Sequence, residues 1–358
     1  MRILIVKLGS IGDIVHTLPA LAAIRGGLPQ AEISWVVERS SSEILRDNPI
    51  LDHLIEVDTK ALRRGLMSGE TLRAPRQQLR RLRASAFDIA LDFQGLLKSA
   101  SIARLSGARR VFGYSREGLR EPPSTLLLSK RIHVPKHTHV IFKALQLVNG
   151  ALDLPIPVNS SELSFPISIP QQAEDEAFEA AAGTGGSYAI LNPGGGWPTK
   201  LWNPERFGKL ADALWASFGL HSIVTHGPGE KELAQAVLNA SESGHTRLAS
   251  VSLKGFYSLV KKSKVYVGGD TGPTHIAVAA GTPIVGLFGP TEWWRNGSPN
   301  PDDICVERTD IDCRVDCHRR ACSKWLCMDI EVERVLQAVA TRIGAEDVGL
   351  VSSLQLAG

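Results

Sequence analysis

The sequence contains no apolar run of the roughly 18 residues that a membrane span requires. Its first segment, MRILIVKLGSIGD, reaches Gly and Asp where the apolar core of a signal peptide would continue, so we interpret it as a β-strand and a turn. These two absences predict a cytoplasmic protein. The formal net charge is only +3, so any charged binding site has to be local. With 358 residues, the chain is expected to form two globular domains.

Cysteine is absent before Cys305, and all five cysteines lie between Cys305 and Cys327. Four of them follow the spacing C-x3-C-x4-C-x4-C. This clustering would fit zinc or an iron–sulfur cluster, but the C-x2-C pairs that identify such sites are missing. Stable disulfides are not expected in the cytoplasm. We therefore expect no bound metal and no cofactor, and interpret four residues as a structural thiol cluster: Cys313, Cys317, Cys322 and Cys327.

The dinucleotide-binding fingerprint G-x-G-x-x-G is missing, although glycines follow the first predicted strand, Arg2–Lys7. The turn LGSIGD leads into a helix predicted from about Ile14 to Arg25, and its glycines let the backbone approach a ligand closely. Asp13 is either a helix N-cap or a carboxylate that takes a proton from a hydroxyl group. His16 is either a second polar group of the same site or part of the packing at the helix start.

The segment Val267–Thr291 (VGGDTGPTHIAVAAGTPIVGLFGPT) predicts a β–loop–α–β unit. Parallel sheets bind ligands at the carboxyl ends of their strands, and the amides that begin a helix favour an anion such as a diphosphate. Asp270, Thr271 and His275 are polar groups in small, apolar surroundings. A helix cap, which stabilises by roughly 1 kcal/mol, explains one of these residues but not all three.

The second half of the chain begins like the first, with a predicted strand Tyr188–Asn192, a glycine-rich loop and a helix that starts at Pro204. We predict an α/β protein with two doubly wound, Rossmann-like domains that face each other across a cleft, where the site is expected. The predicted boundaries are residues 1–155, a proline-rich linker at 156–170, and residues 171–358. The final helix, Ile330–Ile343, could pack on either domain.

Acidic residues are nearly absent from residues 60–83, where eight basic side chains accompany one acid, Glu70. A solvated helix face usually interleaves acids with bases, so this run predicts a polyanionic partner, either a phosphorylated lipid or nucleic acid. The run has no aromatic residues for base stacking, which argues against single-stranded nucleic acid. The basic residues are Lys60, Arg63, Arg64, Arg73, Arg76, Arg80, Arg81 and Arg83.

Six motifs occur in order along almost the whole chain: KLGSIGDIVHTLPAL, QGLLKSA, REPPS, GGGWPTKLWNPERF, HGPGEKE and GGDTGPTHIAVAAGTPIVGLFGPT. Together they resemble the family 9 glycosyltransferases, the bacterial heptosyltransferases of lipopolysaccharide inner-core synthesis. QGLLKSA and REPPS favour the heptosyltransferase I branch, which adds the first heptose to the Kdo of lipid A.

The resemblance implies a GT-B fold and inverting, metal-independent transfer without a cofactor. The donor, ADP-L-glycero-β-D-manno-heptose, would be held by the C-terminal domain. The acceptor, Kdo-lipid A or a related acidic glycolipid, would be held by the N-terminal domain. The resemblance further implies a peripheral position at the inner face of the inner membrane and no nucleic-acid partner.

The resemblance also assigns roles by motif. Asp13 would be the general base, Lys200 would contact the donor diphosphate, and Glu230 would hold the nucleoside side. Asp270 would hold the heptose hydroxyls, and three residues would meet the diphosphate: Thr271, Gly272 and His275. The acceptor would be bound by Lys60, Arg63, Arg64, Gln94, Lys98 and Arg120.

The cysteine cluster and the triple glycine Gly194–Gly196 resemble other branches of the family. Two alternatives therefore stay open: transfer to a later core heptose or another bacterial glycan, and a nonenzymatic nucleotide-sugar-binding protein. Asp13 and Lys200 argue against the second, because binding alone needs no base. A sugar-nucleotide epimerase is disfavoured because the one Tyr-x-x-x-Lys pair, Tyr257 with Lys261, lacks the dinucleotide fingerprint.

Overall fold

The computed structural model describes residues 1–59, 73–315 and 317–344. The chain divides into two compact units, Met1–Ser168 and Ile169–Gly358. The boundary between these units falls inside the proline-rich stretch 156–170.

In the described part of the first unit, six parallel strands form one sheet with the order β3-β2-β1-β4-β5-β6. The strands are β1 Arg2–Val6, β2 Glu32–Glu38, β3 His53–Val57, β4 Ile89–Asp92, β5 Arg110–Tyr114 and β6 Lys130–Ile132. The α-helices are α1 Ile11–Val15, α2 Leu18–Gly27, α3 Arg73–Ala84, α4 Leu97–Leu105 and α5 Val140–Leu152. The central strands β1 and β4 are apolar runs buried along nearly their whole length, as is typical of a parallel sheet covered on both faces.

The described part of the second unit contains a second sheet of six parallel strands, with the order β12-β11-β10-β7-β8-β9. Its strands are β7 Tyr188–Asn192, β8 His221–Thr225, β9 Thr246–Ala249, β10 Val265–Gly269, β11 Ile284–Phe288 and β12 Ile304–Glu307. Its α-helices are α6 Gln171–Ala180, α7 Pro204–Phe218, α8 Lys231–Ala240, α9 Leu253–Lys261, α10 Gly272–Ala279, α11 Trp293–Asn296 and α12 Val332–Arg342.

Both sheets place their first and fourth strands side by side. In the first unit Val6 of β1 is in register with Asp92 of β4, and in the second Asn192 of β7 is in register with Gly268 of β10. From this central pair, the following strands are added toward opposite ends of the sheet, and the connections leave a crevice between the two strands. The carboxyl ends of the pair flank this crevice, which is where doubly wound sheets bind ligands. The prediction of two doubly wound α/β domains is confirmed.

The final helix, α12, packs against α7, β11 and β12 of its own unit. The Trp202 indole lies in this core and donates from Nε1 to the Ile330 carbonyl at 2.9 Å, which ties the start of α7 to the segment before α12. None of the described helices is long and apolar enough to cross a membrane.

One predicted helix differs from the structure. The helix expected from Ile14 to Arg25 is two helices, α1 and α2, because Pro19 lies at the start of α2, where proline begins a helix but cannot continue the preceding turn. The segment that follows β2 forms two 3₁₀ turns, Arg39–Ser41 and Glu43–Leu45. The Ser42 hydroxyl donates to the Arg39 carbonyl at 3.0 Å, a local bond that favours a turn over a helix.

Candidate active site

The carboxyl end of β1 leads into the turn that holds Asp13. Ser10 occupies the N-cap position of α1, so the interpretation of Asp13 as the N-cap is wrong; Asp13 lies in the first turn. The Ser10 backbone N–H donates to Asp13 Oδ2 at 2.9 Å, and the Lys7 ammonium lies 3.4 Å from Asp13 Oδ1. Lys7 also donates to the Phe93 carbonyl at 3.3 Å. One carboxylate oxygen therefore completes the helix start, while the other faces a buried lysine.

The Asp13 carboxylate is accessible and ionised. Burial raises the pKa of Asp13, but the Lys7 ammonium and the Ser10 hydrogen bonds outweigh burial, so the pKa lies below its usual value. The side chain is still 43% exposed, which leaves room for a substrate hydroxyl. A group of this kind can accept a proton at neutral pH.

A second carboxylate, Asp92, lies at the carboxyl end of β4 and is only 1% exposed. Its Oδ1 accepts the backbone N–H groups of Gln94 and Gly95 at 3.0 and 3.1 Å. Burial raises the pKa of Asp92 to about 6 despite these bonds. Gln94 Oε1 in turn accepts the Leu8 backbone N–H at 3.1 Å, so Gln94 links the turns that follow β1 and β4.

The other predicted acceptor-binding residues have different surroundings. Lys98, on α4, donates to Glu38 Oε1 at 3.0 Å and to Thr59 Oγ1 at 2.8 Å. Arg120 is exposed on the segment that follows β5. The remaining three lie outside the described residues: Lys60, Arg63 and Arg64.

In the second unit, the carboxyl ends of β7 and β10 bring three of the predicted donor-binding residues into one cluster. Lys200 Nζ donates to Asp270 Oδ2 at 2.6 Å and to the Asp270 carbonyl at 3.0 Å. His275 Nε2 lies 3.3 Å from Asp270 Oδ1. Asn296 Nδ2 donates to the same oxygen at 2.5 Å, and the Lys200 ammonium also lies 4.4 Å from the centre of the Trp197 ring. Lys200 is therefore fixed in a buried network.

Asp270 is the anionic centre of this cluster, with 7% of its side chain exposed. Burial raises the pKa of Asp270, but the His275 hydrogen bond and the charges of His275 and Lys200 outweigh burial. The net result is a pKa far below the usual range. The carboxylate is therefore ionised at any pH at which the protein works, and it balances the cationic side of the site.

Two further predicted donor-binding residues, Thr271 and Gly272, lie at the start of α10. Thr271 is the N-cap residue in extended conformation, and Gly272 is the first helical residue. The Thr271 hydroxyl lies 3.4 Å from Thr274 Oγ1, which itself bonds to Tyr266 Oη at 2.9 Å. The first amides of a helix carry partial positive charge and attract anions, so this start lies where a diphosphate would be stabilised.

Glu230 lies against the glycine-rich loop that follows β7. Its Oε1 accepts the Gly195 backbone N–H at 3.1 Å, and its Oε2 accepts the Gly227 backbone N–H at 2.9 Å. A Cβ atom at Gly194 would lie 2.5 Å from Glu230 Oε2, so a larger residue would push this carboxylate away. Glu230 thus ties the loops after β7 and β8 together.

Four residues of these two crevices are missing from the sequence-based site: Lys7, Asp92, Trp197 and Asn296. The sequence pattern could have identified Lys7 and Asp92 as site residues, because each is a charged residue at the carboxyl end of an apolar strand. Asn296 follows Asp270 by 26 positions and reaches it only through the fold.

The two crevices offer complementary chemistry. The first presents the ionised Asp13 carboxylate beyond the carboxyl end of a central strand, and an ionised carboxylate can act as a general base. The second presents a buried lysine and a helix start, which can stabilise negative charge on a departing phosphate group without a metal ion.

Known proteins resemble this chain along most of its length. The model of the family described as glycosyltransferase family 9 (heptosyltransferase) matches residues 76–325. Lipopolysaccharide heptosyltransferase 1 of Pseudomonas aeruginosa is 30% identical over 325 residues, which cover 90% of this chain and 88% of that protein. The Escherichia coli K12 protein with the same name is 28% identical over 82% of this chain and 89% of its own length.

Solved structures agree with the sequence relatives. The E. coli heptosyltransferase WaaC with ADP-2-deoxy-2-fluoro heptose has a TM-score of 0.72 and 26% identity, covering 86% of this chain and 93% of that chain. The E. coli ADP-heptose lps heptosyltransferase II has a TM-score of 0.75 at 19% identity, covering 96% and 98%, and supports the fold alone. The expected GT-B fold class and the resemblance inferred from the motifs are confirmed. The chain belongs to glycosyltransferase family 9, the heptosyltransferase family.

Proposed function

We propose that this glycosyltransferase moves heptose from ADP-L-glycero-β-D-manno-heptose to the Kdo of a lipid A-type inner-core lipopolysaccharide. The observation that carries the proposal is the 30% identity with the Pseudomonas lipopolysaccharide heptosyltransferase 1 along 90% of this chain. A relative of known structure, E. coli WaaC, binds an ADP-heptose analogue, which supports the same donor here.

On the donor side, Lys200 and the first amides of α10 stabilise the diphosphate as it leaves. Asp270 holds Lys200 in place through two contacts and retains an oxygen beside His275 that can accept bonds from heptose hydroxyls. Glu230, at the glycine-rich loop, holds the nucleoside side. Because the charges are fixed before the reaction, little reorganisation is needed when the diphosphate becomes fully charged.

On the acceptor side, Asp13 takes the proton of the attacking hydroxyl. The acceptor oxygen forms a bond to the anomeric carbon from the face opposite the diphosphate, the bond to the diphosphate breaks, and ADP leaves with its electron pair. The configuration is therefore inverted, and no metal ion takes part. The acidic groups of the acceptor are bound by Gln94 and by the basic residues Lys60, Arg63, Arg64, Lys98 and Arg120.

The proposed acceptor is a membrane glycolipid, so the enzyme works in the cytoplasm, peripherally at the inner face of the inner membrane. The basic side chains of residues 60–83 suit a surface of anionic phosphates, which attracts lysine and arginine.

The test is transfer from ADP-L-glycero-β-D-manno-heptose to Kdo-lipid A, followed by mass spectrometry of the lipid. We expect one heptose to be added. The D-glycero epimer of the donor and an acceptor that already carries heptose serve as matched controls. Absence of transfer to Kdo-lipid A, with ADP still bound, would contradict the proposed acceptor.

A second candidate is a family 9 transferase acting on a later core heptose or another bacterial glycan. The cysteine cluster and Gly194–Gly196 favour it, since both resemble other branches of the family. Transfer to the heptose-bearing control acceptor, but not to Kdo-lipid A, would support this candidate. ADP-heptose binding without transfer to any acceptor would instead indicate a nonenzymatic binding protein.

A further inference from the structure

The ring of Trp197, in the glycine-rich loop after β7, has two cationic side chains near it. The Lys200 ammonium lies 4.4 Å from the ring centre, and the Arg320 guanidinium carbon lies 5.1 Å from it. A cation within about 6 Å of the centre of a tryptophan ring is attracted to the ring face. The two charges are therefore no more than about 10 Å apart, which is one Debye length at 0.1 M salt.

Arg320 comes from a distant part of the chain, the connection between β12 and α12. The Thr199 hydroxyl donates to the Arg319 carbonyl at 2.6 Å, and the Thr199 side chain is buried. This bond holds the backbone immediately before Arg320 against the residue that precedes Lys200. A ring contact and a backbone contact thus bring Arg320 to the loop that carries Lys200.

The two cations differ in how their charges are balanced. The Lys200 ammonium is paired with the Asp270 carboxylate at 2.6 Å and is shielded from solvent. Arg320 is exposed, and the Trp197 ring attracts its guanidinium without supplying a counter-charge. The charge of Arg320 can therefore act on an anion that enters this crevice.

We propose that Arg320 is a further donor-binding residue, which binds a phosphate group of the nucleoside diphosphate together with Lys200. This inference rests on the proposed function, which places the diphosphate at Lys200. Arginine suits the role, because a planar guanidinium can stack on an aromatic ring and still direct two N–H groups to phosphate oxygens.

Arg320 would assist both binding and transfer. The diphosphate gains negative charge as its bond to the sugar breaks, so a cation beside it stabilises the transition state more than the bound donor. Trp197 is the positioning residue: its ring restricts the guanidinium before the donor arrives, which lowers the entropy lost on binding.

The test is calorimetric titration of the full-length wild type, Arg320→Gln and Arg320→Lys with ADP and with adenosine, which has no phosphate. We expect Arg320→Gln to weaken ADP binding by about tenfold, the scale of one charge-assisted hydrogen bond. Adenosine should bind all three proteins equally. Arg320→Lys should recover part of the affinity for ADP, because it keeps the charge but not the paired N–H groups.

Arg319→Gln is the matched control. It removes the same charge from the neighbouring exposed position, while the Arg319 carbonyl that accepts from Thr199 is retained. We expect its ADP affinity to stay within about twofold of the wild type, as exposed charges contribute little when they do not contact the ligand.

The outcomes separate this inference from the proposed function. If the wild type binds ADP and Arg320→Gln binds it equally well, Arg320 is not a donor-binding residue and the proposed function stands. Equal losses in Arg319→Gln and Arg320→Gln would indicate net charge, and a parallel loss of adenosine affinity would indicate a disturbed loop; either overturns the inference. Wild-type protein that binds neither ADP nor ADP-heptose would overturn the proposed function, and the role of Arg320 with it.

Discussion

The Lys200 ammonium donates to both the Oδ2 atom and the carbonyl of Asp270, at 2.6 and 3.0 Å. The two side chains are 12% and 7% exposed, so this pair is shielded from solvent. One residue at the carboxyl end of β10 thus fixes the position of a cation carried by the loop after β7. The crevice of the second unit, which we propose as the donor site, is built around this contact.

Replacing Asp270 by Asn should destabilise the protein and disable donor use. The variant leaves the buried Lys200 charge without its counter-charge, and breaking such a pair costs about 3–5 kcal/mol of unfolding free energy. Urea unfolding measures this loss. Asp310→Asn is the matched control, because the Asp310 carboxylate is exposed to solvent and an ion pair with an exposed member contributes little. Equal unfolding free energies for wild type and Asp270→Asn would show that the Lys200 charge is not buried.

Asp13→Asn should lower kcat for heptose transfer by about 10³-fold, because the attacking hydroxyl loses its general base. The dissociation constant for ADP should stay within about twofold, since the proposed donor-binding residues belong to the other unit. Steady-state kinetics and calorimetric ADP titration measure the two quantities. Turnover close to that of the wild type would reduce Asp13 to a helix-start residue bonded to Ser10.

Lys7→Gln should shift the acid limb of the pH–rate profile to higher pH. The Lys7 ammonium is the largest influence that lowers the pKa of Asp13, and it acts against burial, which raises it. Without that charge, Asp13 becomes protonated at a higher pH, and a protonated base cannot accept the hydroxyl proton. The readout is kcat/KM from pH 4 to 9. A profile that loses amplitude without moving along the pH axis would show that Lys7 only supports the turn.

The sequence predicted the fold because its central strands are continuous apolar runs that end in glycine-rich turns. β1, β7, β10 and β11 were all recognised in this way. Edge strands lack this pattern: β6 is the basic segment KRI, and β9 is TRLA, with only its last residue buried. Neither stands out from loop sequence, because their pairing with a neighbouring strand, rather than their own pattern, holds them in the sheet.

The candidate site was predictable where its residues follow a strand directly, as Asp13 and Asp270 do. Contacts between distant segments were not predictable. Lys98 belongs to a motif that suggests ligand binding, yet its ammonium donates to Glu38 and Thr59. These two residues lie side by side because β2 and β3 pair in parallel. Asn296 reaches Asp270 for the same reason: the strand order places consecutive loops side by side.

Asp92→Asn should remove a pH-dependent loss of stability. The folded pKa of Asp92 is about 6, above the ordinary value near 3.9, so the folded state binds more protons between these values. The stabilisation of the folded state by the protonated Asp92 carboxyl is fully present below about pH 4 and is lost as the pH rises through 6. Relative to the variant, the unfolding free energy of the wild type should fall by up to about 3 kcal/mol between pH 4 and 7, because the folded and unfolded pKa values of Asp92 differ by roughly two units.

The measurement for Asp92 is urea unfolding of both proteins across this pH range. Asp88→Asn is the matched control, because the Arg2 backbone N–H is the main cause of a lowered pKa at Asp88. At Asp88 the lowered pKa stabilises the folded state above about pH 4, so the difference between wild type and Asp88→Asn should stay nearly constant from pH 5 to 7. Parallel stability curves for wild type and Asp92→Asn would refute the raised pKa of the buried carboxyl.

Arg120→Ala should raise the KM for Kdo-lipid A by about fivefold at low salt, and the effect should shrink as salt increases. Exposed charges act over a Debye length of about 10 Å at 0.1 M salt, so their attraction for an acidic acceptor is screened. Arg109→Ala is the matched control: it removes the same charge from an exposed position, but Arg109 immediately precedes β5, at the amino edge of the sheet. KM values measured from 0.05 to 0.3 M salt would distinguish the variants. If both raise KM equally, Arg120 acts through net charge rather than by binding the acceptor.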